Sequence, residues 1–134
     1  MALQRIRTSE DKAFGTLVAN MFASTTVAHM LHLSVTGESS YSRHKALGEY
    51  YEAIPGLLDT IVEGFQGHHL RLLDIPTITP PAIKNVKEFV NHLNSLYLLV
   101  DEAQQVTMCS SLKNDLDEAK SFINSTKYKL HFLG

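Results

Sequence analysis

Two histidines and two carboxylates in the first half of the chain have the types and spacing of metal ligands. His32 lies near the end of one apolar helical pattern and His44 near the beginning of the next. Asp59 and Glu63 follow, four residues apart and therefore on one helical face. Imidazole nitrogen combined with carboxylate oxygen suits iron, manganese or zinc, whereas calcium and magnesium take all-oxygen sites. The four side chains predict a transition-metal site.

The distance between the two pairs restricts how they can be used. If His44 and Asp59 lie on one helix, they are about 22 Å apart at a rise of about 1.5 Å per residue, and metal–ligand bonds are only about 2.0–2.2 Å long. The histidines and carboxylates of one chain therefore cannot bind the same ion. We expect two chains to meet across a twofold axis, so that the histidines of each face the carboxylates of the other at two identical sites.

The same residues resemble the pattern of the Dps-type mini-ferritins (the DNA-binding proteins from starved cells). In those proteins H-x-x-V-x-G precedes a second histidine, an acid and a glutamate. The pattern falls here on His32, Val35, Gly37, His44, Asp59 and Glu63. The likeness covers residues 13–67, with a weaker echo at Asp115-Leu116-Asp117 and Phe122-Ile123.

This resemblance implies an all-α, ferritin-like four-helix bundle that forms a twofold dimer and a larger hollow shell such as a dodecamer. It also implies a ferroxidase that oxidises Fe²⁺ with peroxide or dioxygen and stores the ferric product. His32, His44, Asp59 and Glu63 would be both its metal ligands and its catalytic residues. Iron is the implied metal, and zinc or manganese would also suit this ligand set.

Two positions depart from the family pattern, which leaves an alternative open. Leu33 replaces the usual Trp after the first histidine, and Gly48 replaces the usual Asp four residues after the second. The missing Asp removes a ligand for a second ion, so binding of one ion is expected over binding of two. The alternative is a non-enzymatic ferritin-like assembly or interaction protein with a degenerate metal site, of which Gly48 would be the first sign.

The length, net charge and cysteine count of the chain limit the kinds of protein it can be. The 134 residues allow a tail over 1–8 and one domain over 9–134, and the formal net charge of −2 argues against strong binding to DNA. Arg5 and Arg7 in the tail make DNA binding weak at most. The single cysteine, Cys109, excludes an intrachain disulfide and fits a reducing compartment. With neither a signal-peptide pattern nor an apolar run of about 20 residues, we expect a cytoplasmic protein without a membrane segment.

The apolar periodicity predicts four helices. Helix one runs from an N-cap at Ser9 to a C-cap at Gly37, and helix two from Ser39 or Ser40 to about Gln66. Pro55 is expected to kink helix two, because the apolar periodicity resumes directly after it; in the alternative interpretation it breaks the helix, with Gly56 as a turn. His29 is expected to have a structural or supporting role beside His32.

The second half of the chain contains the long connection that a ferritin-like bundle needs between helices two and three. It is predicted to begin at Gly67 and to extend through the prolines at 76, 80 and 81, with His68 and His69 in helix-end or pore-lining roles. Helix three is predicted over 82–104. Helix four is predicted to begin after a cap at Thr107 and to fray into the basic-aromatic segment 127–132.

Overall fold

The computed structural model describes residues 8–134, and over this range the chain forms four helices packed against one another. They are α1 (Ser9–Ser34), α2 (Ser40–His69), α3 (Val86–Val106) and α4 (Ser110–Phe132). α1 and α4 each pack against both α2 and α3. The predicted all-helical bundle is thereby confirmed. The predicted tail with Arg5 and Arg7 lies outside the described residues, except for Thr8.

The core is built from the apolar stripes of all four helices. Most of the predicted inward positions are buried, among them Phe14, Val18, Met21, Leu47, Ile54, Leu58, Ile61, Phe65, Leu112, Leu116, Ala119 and Ile123. The centre of the α3 stripe differs from the prediction, because Phe89 and Leu96 are buried whereas Val86 and Val90 lie at its edge. Tyr50, also fully buried, places its hydroxyl 2.6 Å from that of Ser24. Burial raises the pKa of Tyr50 far above its ordinary value.

α2 is continuous through Pro55, so the alternative of a break at Pro55-Gly56 is wrong. A proline inside a helix costs about 3 kcal/mol, whereas each large apolar side chain that becomes buried contributes about 1.5–3 kcal/mol. Ile54, Leu58 and Ile61 are fully buried on both sides of the proline. Their burial outweighs the lost backbone hydrogen bond, and His44 and Asp59 consequently lie on one rod.

The first two helices begin and end close to the predicted residues, with different caps. Thr8, and not Ser9, caps α1 by a reciprocal capping box with Asp11. α1 ends at Ser34, and the turn to α2 then uses Gly37 at φ 87° and Ser39 at φ 66°. α2 does not stop near Gln66 but continues to His69, so the connection to α3 comprises residues 70–85.

The last two helices also begin later than predicted. α3 starts at Val86 because Asn85 accepts a hydrogen bond from the Glu88 amide. Thr107 closes α3, while Cys109 is the N-cap of α4. α4 remains helical to Phe132 where fraying was expected.

At one end of the bundle, the end of α2 is tied to the beginning of α1. The Arg71 guanidinium donates to both Asp11 carboxylate oxygens at 3.0 and 2.9 Å, and His69 Nε2 lies 3.1 Å from Glu10 Oε1. Burial raises the pKa of Asp11, but the hydrogen bonds from Thr8 and Arg71 outweigh it and hold that pKa below its ordinary value. A Cβ added to Gly15 would lie 2.4 Å from the Asp74 carbonyl oxygen, so the connection crosses α1 in close contact.

At the opposite end, parts of all four helices surround one cleft. Val35 and Arg43 line it from the end of α1 and the beginning of α2, and Val86 and Leu130 line it from the beginning of α3 and the end of α4. None of the helices within residues 8–134 is long and apolar enough to cross a membrane.

Candidate metal centre

The structure brings His32 and His44 together on the surface of the α1–α2 hairpin. Their rings are stacked, with centroids 3.5 Å apart and an interplanar angle of 20°. His32 is half-buried and His44 is exposed. Two residues that are 12 positions apart in the sequence thus form one pair of nearly parallel imidazoles.

Reciprocal hydrogen bonds to the backbone hold this pair in place. His32 Nδ1 lies 2.6 Å from the His44 carbonyl oxygen, and His44 Nδ1 lies 2.8 Å from the His32 carbonyl oxygen. A carbonyl oxygen only accepts, so each Nδ1 carries the proton and donates it. The neutral tautomer of both rings is therefore set, and Nε2 of each carries the lone pair that a metal ion requires.

The His32 carbonyl is available because α1 ends two residues later. The last carbonyls of a helix have no amide partner within the helix, and His32 belongs to this group. The His44 imidazole satisfies its carbonyl and so acts as a side-chain cap for the end of α1. This contact could not be anticipated from side-chain spacing, because one partner is a backbone atom.

The absence of a side chain at Gly48 leaves room for the His32 ring against α2. A Cβ added at Gly48 would lie 3.2 Å from His32 Cε1 and 3.4 Å from His32 Nδ1, which is tighter than ordinary contact. Gly48 follows His44 by one helical turn, where a side chain would crowd the approach to the His44 carbonyl. Gly48, one of the two positions at which the sequence departs from the Dps pattern, therefore leaves the space that the His32 ring occupies.

Two further aromatic side chains surround the pair. His29 is stacked on Tyr51 at 4.0 Å and 8°, and both rings are edge-on to His32, at 6.1 and 5.2 Å. The supporting position expected for His29 agrees with these contacts. The contribution of Tyr51 was missed, although its position seven residues after His44 on α2 would have indicated the same helical face.

Asp59 and Glu63 lie on α2 away from the histidines. Both carboxylates are exposed, and neither forms a hydrogen bond or ion pair with a residue in the described range. Because α2 is one helix, about 22 Å separates Asp59 from His44 at about 1.5 Å per residue. Accordingly, no three histidine, cysteine, aspartate or glutamate side chains converge within residues 8–134 of a single chain. In one chain the histidine pair and the two carboxylates are therefore separate.

Comparison with known proteins adds a family whose own function is not established. The model of a family of unknown function (DUF5856) matches residues 32–130, a range that begins at the first histidine of the pair and includes Asp59 and Glu63. No curated protein matches the chain.

Proposed function

We propose that this chain, which belongs to the DUF5856 family, is a Dps-like mini-ferritin that binds and oxidises ferrous iron at sites shared between two copies. The observation that carries the proposal is the geometry of His32 and His44. Both Nδ1 atoms donate to carbonyl oxygens, so both Nε2 atoms are left to bind a metal ion. Two imidazoles stacked on each other in this tautomer are the nitrogen half of the proposed ligand set.

The arrangement of the helices supports the ferritin-like class. The beginnings of α2 and α3 line the same cleft, so these helices run parallel, and residues 70–85 must return along the bundle. α2 has 30 residues and is about 45 Å long at about 1.5 Å per residue. The connection can extend about 53 Å at about 3.3 Å per residue, which is enough for the return. A ferritin-like bundle requires such a long connection between its second and third helices.

The two half-sites suit a twofold dimer in which the α2 helices of two copies lie antiparallel. His44, Asp59 and Glu63 lie on the same side of α2, and all three are exposed. The point midway between His44 and the carboxylates is near Glu52, which lies on the same side and is also exposed. A twofold axis there would place His44 of one copy opposite Asp59 and Glu63 of the other.

An exposed apolar strip on α1 supports this contact between copies. Leu33 is 73% exposed and Met30 is 67% exposed, and both are close in sequence to His32. Large apolar side chains clustered at the surface are characteristic of protein contacts. Leu33, at the position where the family usually has Trp, would thus contribute to the dimer contact beside the metal site.

In the proposed reaction ferrous iron is the substrate. Two ferrous ions each give one electron to a peroxide molecule, which takes up two protons and leaves as two water molecules. With dioxygen as the oxidant, the same two electrons and two protons produce peroxide. His32 and His44 supply neutral nitrogen donors. The carboxylates of Asp59 and Glu63 supply negative charge, which favours the ferric over the ferrous ion.

Aerobic oxidation of Fe²⁺, followed by the absorbance of the ferric product, tests the proposed function. The protein should oxidise Fe²⁺ faster than buffer alone does. His44→Ala should lower the rate to that of buffer, because the nitrogen half-site is lost. If the wild-type protein forms dimers but gives the buffer rate, the ferroxidase proposal is wrong. The non-enzymatic assembly role, with a degenerate site at Gly48, would then take its place.

A variant that breaks the twofold contact should also lose metal binding. Glu52→Trp would place two bulky side chains at the proposed axis and should yield monomers in sedimentation. Since a monomer has only half of each ligand set, its affinity for Co²⁺ or Zn²⁺ should fall on the order of a hundredfold or more. Glu118→Trp makes the same replacement at an exposed position of α4 and should leave both properties unchanged. A monomer that retains full affinity would contradict the shared site.

A further inference from the structure

The cleft at the end of the bundle that holds Val35 and Leu130 has the size and charge of a ligand site. Its volume is about 710 Å³, within the range of about 300–1,000 Å³ typical of small-molecule pockets. Arg43, Lys84 and Lys87 line it, and no acidic side chain lines it within the part of the chain that the structure describes. The cleft therefore carries three positive charges in a protein whose formal net charge is −2.

Arg43 differs from the two lysines in having a buried donor atom that lacks a hydrogen-bond partner in the described part of the chain. Its Nε is buried without a hydrogen-bond partner, and its guanidinium forms no hydrogen bond or ion pair with any residue from 8 to 134. A buried Nε–H without a partner is unfavourable, because this donor has lost water and has gained no acceptor in return. An anion in the cleft would supply the missing acceptors.

The beginning of α3 adds backbone donors to the same cleft. Asn85, Val86 and Lys87 all line it, and the amides in the first turn of a helix have no acceptor within the helix. The Lys84 amide is occupied by the Glu88 carboxylate, and the Glu88 amide donates to the Asn85 side chain. The amides of Val86 and Lys87 have no acceptor within residues 8–134. The positive end of the α3 dipole also favours a negative group here.

Part of the lining is apolar and indicates the rest of the ligand. Val35, Val90 and Leu130 contribute aliphatic surface from three different parts of the bundle. Inorganic phosphate would leave this surface uncovered, whereas an organic phosphate would cover it. A phosphate group has enough acceptor oxygens for a guanidinium, a lysine and two amides at once, which a carboxylate does not.

We propose that this cleft binds a small organic phosphate. Its phosphate group contacts Arg43, Lys87 and the first turn of α3, while its apolar body lies against Val35, Val90 and Leu130. This site is separate from the histidine pair, and the proposal does not depend on iron oxidation.

Titration with phenyl phosphate, followed by backbone amide NMR shifts, tests the site. Binding should saturate and should shift the signals of Val35, Val90 and Leu130. Inorganic phosphate and phenol, which each represent half of the probe, should bind at least about tenfold more weakly, because each makes only part of the contacts. Binding should weaken as salt increases.

Charge-removing variants locate the phosphate group. Arg43→Gln should weaken binding of phenyl phosphate about tenfold or more, as expected for a lost charge-assisted hydrogen bond. Lys87 is exposed, so Lys87→Gln should fold normally and weaken binding even if Arg43→Gln fails to fold. Lys113→Gln, at the beginning of α4 and the opposite end of the bundle, removes the same charge and should have no effect.

Three results would each contradict the proposal. They are the absence of saturable binding, an equal loss of affinity in Lys113→Gln and Lys87→Gln, and equal affinities for inorganic phosphate and phenyl phosphate. The second would mean that only the overall charge matters, and the third that the apolar lining takes no part.

Discussion

Mixing two inactive variants, His44→Ala and Asp59→Ala, should restore about half of the wild-type iron oxidation in every dimer that contains one copy of each. Each variant alone should be inactive, because every shared site lacks a ligand. In the mixed dimer one site contains both substitutions, and the other combines an intact histidine pair with intact carboxylates. Random mixing at equal concentrations makes about half of the dimers mixed, so the total activity should reach about a quarter of the wild-type value.

A second mixture provides the control. His32→Ala and His44→Ala both damage the nitrogen half-site, so each site of their mixed dimer still lacks one histidine and no activity should return. The measurement is the rate of Fe²⁺ oxidation after the variants have been dissociated and reassociated together. If the first mixture stayed as inactive as the second, the two half-sites would not belong to different copies.

Gly15→Ala should destabilise the protein, although alanine normally favours a helix. The added Cβ would lie 2.4 Å from the Asp74 carbonyl oxygen, a backbone atom that cannot move without shifting the connection. Asp11 and Arg71 hold this connection against α1 nearby, so the strain cannot relax freely. Overpacking of this kind lowers the free energy of unfolding by about 1–3 kcal/mol.

Gly67→Ala is the matched control for this experiment. Gly67 lies in the last turns of α2, and a Cβ added to it would have nothing within 4 Å. Alanine there should therefore raise the free energy of unfolding by about 0.5–1 kcal/mol. Urea denaturation of both variants measures the difference. If Gly15→Ala were stabilised as Gly67→Ala is, the connection would not be in close contact with α1 at Gly15.

The sequence predicted which segments are helical better than it predicted where each helix begins and ends. Apolar stripes in α2 and α4 have a helical period, and burial of the whole stripe determines that the helix exists. The end of a helix depends on a few local hydrogen bonds that compete closely. Gly67 was expected to end α2, but glycine is tolerated in a last turn, and the contact of His69 with Glu10 extends the helix. Thr107 resembles a cap for α4 but closes α3.

The candidate site was predictable in its residues and not in its geometry. The types and spacing of His32, His44, Asp59 and Glu63 identified two pairs, and the length of α2 separated them. The hydrogen bonds that orient the two imidazoles end on carbonyl oxygens, and every residue has a carbonyl. Gly48 was interpreted only as the loss of an Asp. Its role in accommodating the His32 ring depends on how α1 packs against α2, which a single sequence does not specify.

The reciprocal bonds between His32 and His44 would also link metal binding at the proposed site to the kinetics of the turn between α1 and α2. Each ring is anchored on the other helix, so the turn cannot open without releasing both rings from their carbonyls. An ion held by both Nε2 atoms would oppose that opening, and the opening would in turn release the ion. If the proposed site binds metal, the lifetime of the bound ion and the rate of amide hydrogen exchange in residues 35–39 should therefore report the same local unfolding event.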